Sequence, residues 1–447
     1  MVAFTLSMSL NRYLVRSTVV GALGGLLFGF DTAVISGATR TLRLYFHLSD
    51  RELGITVAIA LWGAVIGAIF SGLPGERFGR RDSLRGLAFL YLVSAVGCAL
   101  AWNLPSLMAF RFIGGLAIGG SSVLGPMYIS EISPAQWRGR LVGTFQINIV
   151  VGILLAYLSN YLIGFVNSGN SEWRWQLGIS AVPALLFVLM LFVIPRSPRW
   201  LSTRNRIDDA RHVLDLIGSP NSEAELKEIV ASIHLERASE PLFQRKYRFP
   251  LLLALATGAF NQLSGINAIL YYLNDIFAKA GFDPSHSGLQ AVAVGATNLV
   301  FTLIAMSVID KVGRKALLLV GCASLTGCLA AISAIFWTHA HQDWLVWLLM
   351  AYIACFAVSQ GAVTWVYIGE IFPTRVRSKG QSAGSSAHWV VNALISAVFP
   401  SLAATSGAYP FMFFGAMMAV QFVIVLLIYP ETKGISLEQM EHRLHIE

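Results

Sequence analysis

The chain has 447 residues, of which 55% are hydrophobic and 13% charged, with a formal net charge of +8. Soluble globular proteins carry about 25% charged residues, so a water-soluble fold of this size is excluded. The positive excess points to nucleic acid or an acidic partner only if it is clustered, and its placement along the chain says otherwise.

Twelve stretches are long and apolar enough to cross a hydrocarbon layer of ~30 Å as helices. They run over 14–38, 54–75, 84–103, 106–130, 140–165 and 173–195 in the first half. In the second they run over 250–278, 288–309, 316–338, 344–369, 380–402 and 408–429. Their apolar runs are continuous rather than alternating, which excludes a β-barrel. The first stretch continues as a span with no small-residue cleavage site, so no cleaved signal is expected. Cys98, Cys322, Cys328 and Cys355 all lie in apolar stretches without metal-ligand spacing and read as reduced structural residues.

Lys and Arg set the orientation. With the N-terminus inside, 26 of them fall on the cytoplasmic side and 5 on the other, and Arg111 lies within a span. That asymmetry predicts both termini in the cytoplasm. The charge is thus topological and needs no nucleic-acid partner. Between spans six and seven runs a polar segment, 198–247, in which Asp208 to Ile217 and Ala224 to Leu235 have the apolar spacing of short amphipathic helices.

The chain repeats itself. Glu76-Arg77-Phe78-Gly79-Arg80-Arg81 returns as Asp310-Lys311-Val312-Gly313-Arg314-Lys315. Glu131 with Arg138 returns as Glu370 with Arg377, and Pro195 as Pro430, always at an offset close to 235 residues. We therefore expect an all-α membrane protein of two pseudo-symmetric six-helix bundles, 1–197 and 248–430. A helical linker at 198–247 joins them, and a tail follows at 431–447. Parallel repeats place a substrate site at their interface near the bilayer midplane. In the acid–Gly–Arg turns, Gly allows a tight reversal while the acids and bases pair with neighbouring helix ends.

These residues resemble the sugar-porter branch of the major facilitator superfamily, over about residues 20–440. The resemblance is carried by Gly24-Gly25-Leu26-Leu27-Phe28-Gly29-Phe30-Asp31, the turn ending at Arg81, and Arg138-Gly139-Arg140. It is carried further by Gln262-Leu263-Ser264-Gly265-Ile266-Asn267 with Tyr271-Tyr272, and by Pro430-Glu431-Thr432-Lys433-Gly434. Three positions depart from the pattern. Arg196 stands where the family has Glu, an expected weakening of one inner-face ion pair. Asn261 replaces Gln, and His388 replaces Asn or Gln, which bears on the identity of the sugar.

The resemblance implies an alternating-access carrier, and the residues fit one. Asp31 and Arg111 are opposite charges within spans, each costly alone in lipid. Paired, they form a coupling device, because Asp can exchange a proton while Arg stays charged; a static ion pair is the alternative. Sugars need neutral groups that both donate and accept, which amides provide. Gln146, Gln262, Asn267, Asn298 and Asn392 fall where the family contacts sugar, with Asn261 a further contact. Gln262 and Asn267 diverge by about 140° on a regular helix, so a break at Gly265 is expected to turn both inward. Trp365 and Trp389 are candidate stacking aromatics. His388 shares a helical face with Asn392 and can bond a sugar hydroxyl. Tyr271 and Tyr272 close the outer side in the family.

The expectation is proton-driven uptake of a hexose or pentose by a monomeric carrier in the cytoplasmic (inner) membrane. Its partners are a monosaccharide, a proton and the lipid bilayer, without cofactor or metal. The rivals are a facilitative uniporter and a transport-inactive sensor. No nucleophile–base pair, metal-ligand spacing or phosphate loop suggests an enzyme.

Overall fold

The computed structural model describes residues 11–134, 136–166, 169–219, 221–236, 240–373, 376–433 and 440. A few helical side chains, Asp310 among them, lie outside the described set. Among the described residues the fold is helical, with twelve helices long and apolar enough to span a membrane.

Six belong to the first half: α1 (Arg12–Phe46), α2 (Asp50–Phe70), α3 (Arg80–Ala99), α4 (Leu104–Ile132), α5 (Arg138–Gly164) and α6 (Gly169–Met190). Polar caps start several of them. The Asn11 carboxamide accepts the Tyr13 N–H, and Ser49 with Glu52 and Asn103 with Ser106 form reciprocal boxes. Such caps satisfy amides that a helix leaves orphaned at its start. The second half supplies α7 (Arg245–Tyr271), α8 (Ser287–Ile309), α9 (Arg314–Thr338), α10 (Gln342–Glu370), α11 (Arg377–Thr405) and α12 (Ala408–Leu427).

Three spans are not single rods. The α6 stretch is split into Glu172–Gly178 and Ala181–Met190. As expected, α7 breaks at Gly265, whose φ of 87° is the left-handed conformation glycine adopts without strain. A second break at Tyr272, not foreseen, starts the short helix Leu273–Lys279. Helix α10 contains a π-helical turn at Ala357–Gly361 that no sequence pattern announced. Between the halves, the amphipathic segments fold as Ile207–Leu216 and Ser222–Glu236, preceded by an unforeseen turn of helix at Pro198–Thr203.

The packing carries the internal symmetry. Helix α1 lies along α5 as α7 lies along α11, and the halves meet along two seams, α2 with α11 and α5 with α8. At the α2–α11 seam the Gly54 backbone abuts the Ala397 carbonyl, where any Cβ would collide. Small residues allow this approach in lipid, where close van der Waals contact must drive association. Outward, Trp102, Leu100, Trp347 and Leu427 are each 66–74% exposed. So much apolar surface is untenable in water and is satisfied by acyl chains.

Candidate functional site

The face carrying the Gly79 and Gly313 turns is termed the basic face, and the other the opposite face. Midway along α1, Asp31 Oδ1 lies 2.6 Å from Arg111 Nη1 of α4. Their side chains are 16% and 6% exposed, so each supplies the counter-charge the other lacks from water. Arg111 Nε is buried with no hydrogen-bond partner. Next to Asp31, Thr32 sits beside the hydroxyl of Tyr271, a residue of the other half. That hydroxyl accepts a hydrogen bond from Asn392 Nδ2 at 3.1 Å. Thr32, the chain neighbour of Asp31, and Tyr271 thus lie between the charged pair and the amide-bearing helix α11.

The break at Gly265 leaves both Gln262 and Asn267 buried, at 2% and 9% exposure. Gln262 Nε2 donates to Asn261 Oδ1 at 3.1 Å and lies 3.2 Å from the ring nitrogens of His388. Asn261 in turn donates to Thr364 Oγ1 at 3.0 Å. The His388 ring is 5.0 Å from that of Trp365 and 5.4 Å from that of Trp389. Trp389 reaches across to Phe28 of α1, with ring centroids 5.2 Å apart. Polar edges beside aromatic faces are what a sugar's hydroxyls and C–H groups require.

Not all the candidates converge. Gln146 is half-buried on α5 and makes no hydrogen bond among the described residues. Asn267 likewise bonds to no described group, while Asn298 accepts only a long bond from Thr302 at 3.5 Å. These three amides are left with spare capacity. Tyr272 differs from its neighbour: its hydroxyl donates to Ser396 O and its ring stacks on Phe399, both within the second half.

On the basic face the two repeats adopt one geometry. Gly79 and Gly313 have φ of 91° and 105°, each followed by an Arg that pairs with the acid at the end of the next-but-one helix. Arg80 meets Glu131 at 2.9 Å and Arg314 meets Glu370 at 2.9 Å. Glu370 also accepts the Thr432 hydroxyl, and Glu431 accepts the backbone N–H groups of Arg314, Lys315, Thr432 and Lys433. Burial raises the Glu431 pKa, but those four donors outweigh it and hold the carboxyl below the ordinary glutamate value.

Several motif residues act otherwise than expected. Glu76 and Arg77 are exposed; their carbonyls, not their charges, receive Trp200 Nε1 and Arg204. Arg81 bonds Asp82 and the Ile194 carbonyl. Arg138 is exposed with no partner among the described residues, and Arg377 reaches the Phe372 carbonyl. Arg196 does not simply forfeit an ion pair: it binds Asp82 at 2.9 Å.

The opposite face is shut. Tyr157 Oη donates to the Leu270 carbonyl across the halves, and Tyr271, Tyr272 and Asn392 are at most 3% exposed. Trp365, nearer the basic face, is instead 40% exposed although its ring faces buried His388.

Sequence reasoning missed Thr364, Phe28, Asp82 and a buried amide pair, Gln360 on the π-turn with Gln421 on α12. The amides carried the same signal as the chosen ones, a carboxamide inside an apolar span. Phe28 carried none.

Comparison with known proteins agrees with this architecture. The profile of the family described as Sugar (and other) transporter matches residues 17–444. The chain is 34% identical to the D-xylose-proton symporter of Escherichia coli, covering 96% of each chain. It is 36% identical to the arabinose-proton symporter of Bacillus subtilis, over 98% of this chain and 97% of that one. The glucose transport protein of Synechocystis is 33% identical, over 96% and 97%. Among solved structures, the partially occluded inward-open E. coli xylose transporter superposes with a TM-score of 0.85 at 33% identity, covering 95% of this chain and 99% of that one. With its bundle of twelve spans, its two related halves and these relatives, the chain belongs to the sugar transporter family of the major facilitator superfamily.

Proposed function

We propose that this protein carries a monosaccharide across the cytoplasmic membrane in symport with a proton, by alternating access. The observation that carries the reading is the Asp31–Arg111 pair, set on α1 next to Thr32, which meets Tyr271 and through it Asn392 at a neutral, amide- and aromatic-bearing interior. The sugar occupies the space bordered by Gln146, Gln262, Asn267, Asn298, His388 and Trp365, where spare amide groups meet an aromatic face. Asp31 takes up the proton; its neutralisation loosens the bond to Arg111 and frees α1 to move against α4 and α7. Tyr271 closes the opposite side, and the Arg80–Glu131 and Arg314–Glu370 contacts tie neighbouring helix ends together within each half on the basic face.

The relatives are named for xylose, arabinose and glucose, which supports a pentose or hexose substrate. The basic face is cytoplasmic in this reading, with both termini there, the halves divided at 1–197 and 248–430, and the carrier working as a monomer without a catalytic step. Purified protein in proteoliposomes tests it. Counterflow of labelled xylose, glucose, arabinose, galactose and fructose identifies the substrate, and an imposed inward proton gradient should drive accumulation. Counterflow that is indifferent to the gradient would make the protein a uniporter; no uptake of any monosaccharide would remove the reading altogether.

A further inference from the structure

The end of α6 and the start of the linker hold a charge imbalance that transport does not use. Asp82 accepts hydrogen bonds from three guanidinium groups: Arg81 Nε at 3.0 Å, Arg85 Nη1 at 2.8 Å and Arg196 Nε at 3.1 Å. One carboxylate therefore faces three fixed cations. The neighbouring acid cannot make up the difference, because Asp209 is taken by Arg206 at 2.6 Å. Glu131 is likewise held by Arg80. The three guanidiniums are only 18–34% exposed, so water screens the surplus poorly.

Beside this cluster lies a cavity of about 310 Å³, bordered by Arg81, Arg196, Arg206 and His212, and by Asp209 in its pair with Arg206, over an apolar floor that includes Pro195 and Val213. Its walls are held in place. Arg196 lies over the Trp200 ring at 5.4 Å, and Trp200 is anchored by its bond to the Glu76 carbonyl. Arg81 Nη2, Arg196 Nη1 and the two terminal nitrogens of Arg206 make no hydrogen bond with described residues. A surplus of two positive charges, with unused donors at the rim of a concavity, calls for a tetrahedral oxyanion. Guanidinium forks match phosphate oxygens in pairs and are weakly hydrated, so they bind phosphate better than a spherical anion.

We propose that this pocket is a binding site for one phosphate group, held by Arg81, Arg196 and Arg206, with His212 at its rim. The group comes either from an anionic phospholipid headgroup or from a soluble phosphate compound. Its occupancy fastens the linker helices to the end of the first half. The proposal does not depend on the transported substrate, and its readout is binding and stability rather than uptake, so it stands or falls separately from the transport reading.

The test uses the full-length protein in nanodiscs of phosphatidylcholine, with inorganic phosphate titrated against sodium chloride at matched ionic strength and the thermal unfolding midpoint read out. Phosphate should raise the midpoint saturably where chloride does not. Arg196→Gln and Arg206→Gln should each weaken the apparent affinity by about tenfold, the loss of one charge-assisted contact. Arg196→Lys should recover part of it, and Lys227→Gln, an exposed cation on another helix, should titrate like the parent. The same titration in discs containing phosphatidylglycerol separates the sources. A midpoint raised beforehand and deaf to added phosphate assigns the site to the headgroup; a retained response assigns it to soluble phosphate. Phosphate acting no differently from chloride, or both glutamine variants titrating like the parent in both bilayers, overturns the proposal.

Discussion

Arg111 Nη1 and Asp31 Oδ1 sit 2.6 Å apart, and among the described residues neither bonds another formal charge. Removing one charge and keeping the shape should therefore separate coupling from carriage. With Asp31→Asn, proton-driven accumulation in proteoliposomes should collapse to the equilibrium ratio, while labelled-sugar counterflow persists. Uphill accumulation that survives in this variant would refute the assignment of Asp31.

His388 contributes to the interior through Gln262 at 3.2 Å and through its contact with Trp365. His388→Leu keeps an apolar volume but leaves Gln262 Nε2 with only its bond to Asn261 Oδ1, so that one buried N–H is unpaired at a cost of about 1–3 kcal/mol. The KM for sugar counterflow should rise roughly tenfold or more. His388→Gln should stay close to the parent, since a carboxamide again meets a carboxamide.

Gln360 and Gln421 are both 0% exposed and hydrogen-bond to each other. Gln360→Leu or Gln421→Leu alone leaves one buried amide without its partner and should destabilise by about 1–3 kcal/mol. The double substitution should be milder than the two single effects added together, because both orphaned groups disappear. Thermal unfolding of the four proteins closes the cycle; strict additivity would show that the two amides do not act as a pair.

Gly313 combines a φ of 105° with a neighbour that leaves no room: a Cβ there would lie 2.8 Å from Glu431 Oε2. Gly313→Ala should cost about 1–3 kcal/mol, from backbone strain and displacement of that carboxylate. Gly327→Ala, a helical position with open space around it, provides the contrast and should leave the unfolding midpoint nearly unchanged.

Glu431 gives a pH dependence with a definite sign. Its pKa is lower in the fold than in the free chain, so its stabilisation is complete above the ordinary glutamate value of 4.5 and is lost as pH falls through the depressed one. Glu431→Gln should lower the unfolding midpoint at neutral pH by the equivalent of about 1 kcal/mol, a modest figure because the carboxylate is only partly buried. The gap between variant and parent should hold from pH 8 to 5 and narrow only in more acidic solution. A gap that widens with acid would contradict the assignment.

Much of this architecture was legible beforehand. Twelve apolar stretches and a one-sided distribution of Lys and Arg fixed the number of spans and their expected orientation, since lipid penalises unsatisfied backbone and charge so heavily. The Gly79 and Gly313 turns could be matched by eye, and their shared backbone conformation shows the same fold twice. Asp31 and Arg111 could be paired on sign and cost alone. The break at Gly265 was legible because only a kink lets Gln262 and Asn267 share an interior.

Local pattern did not reveal the π-turn at Ala357–Gly361, the Phe28–Trp389 contact between halves, or the transfer of Arg196 to Asp82. Each depends on which helix lies next to which, and residues 361 positions apart in the chain (Phe28 and Trp389) meet only once the two bundles are docked. Composition and periodicity thus determined a duplicated helical bundle in lipid. Tertiary structure alone decided which amides bond each other and which retain open valences. Hydrogen-bond partners are a matter of distances of about 3 Å, and helical periodicity carries no information about distance across an interface.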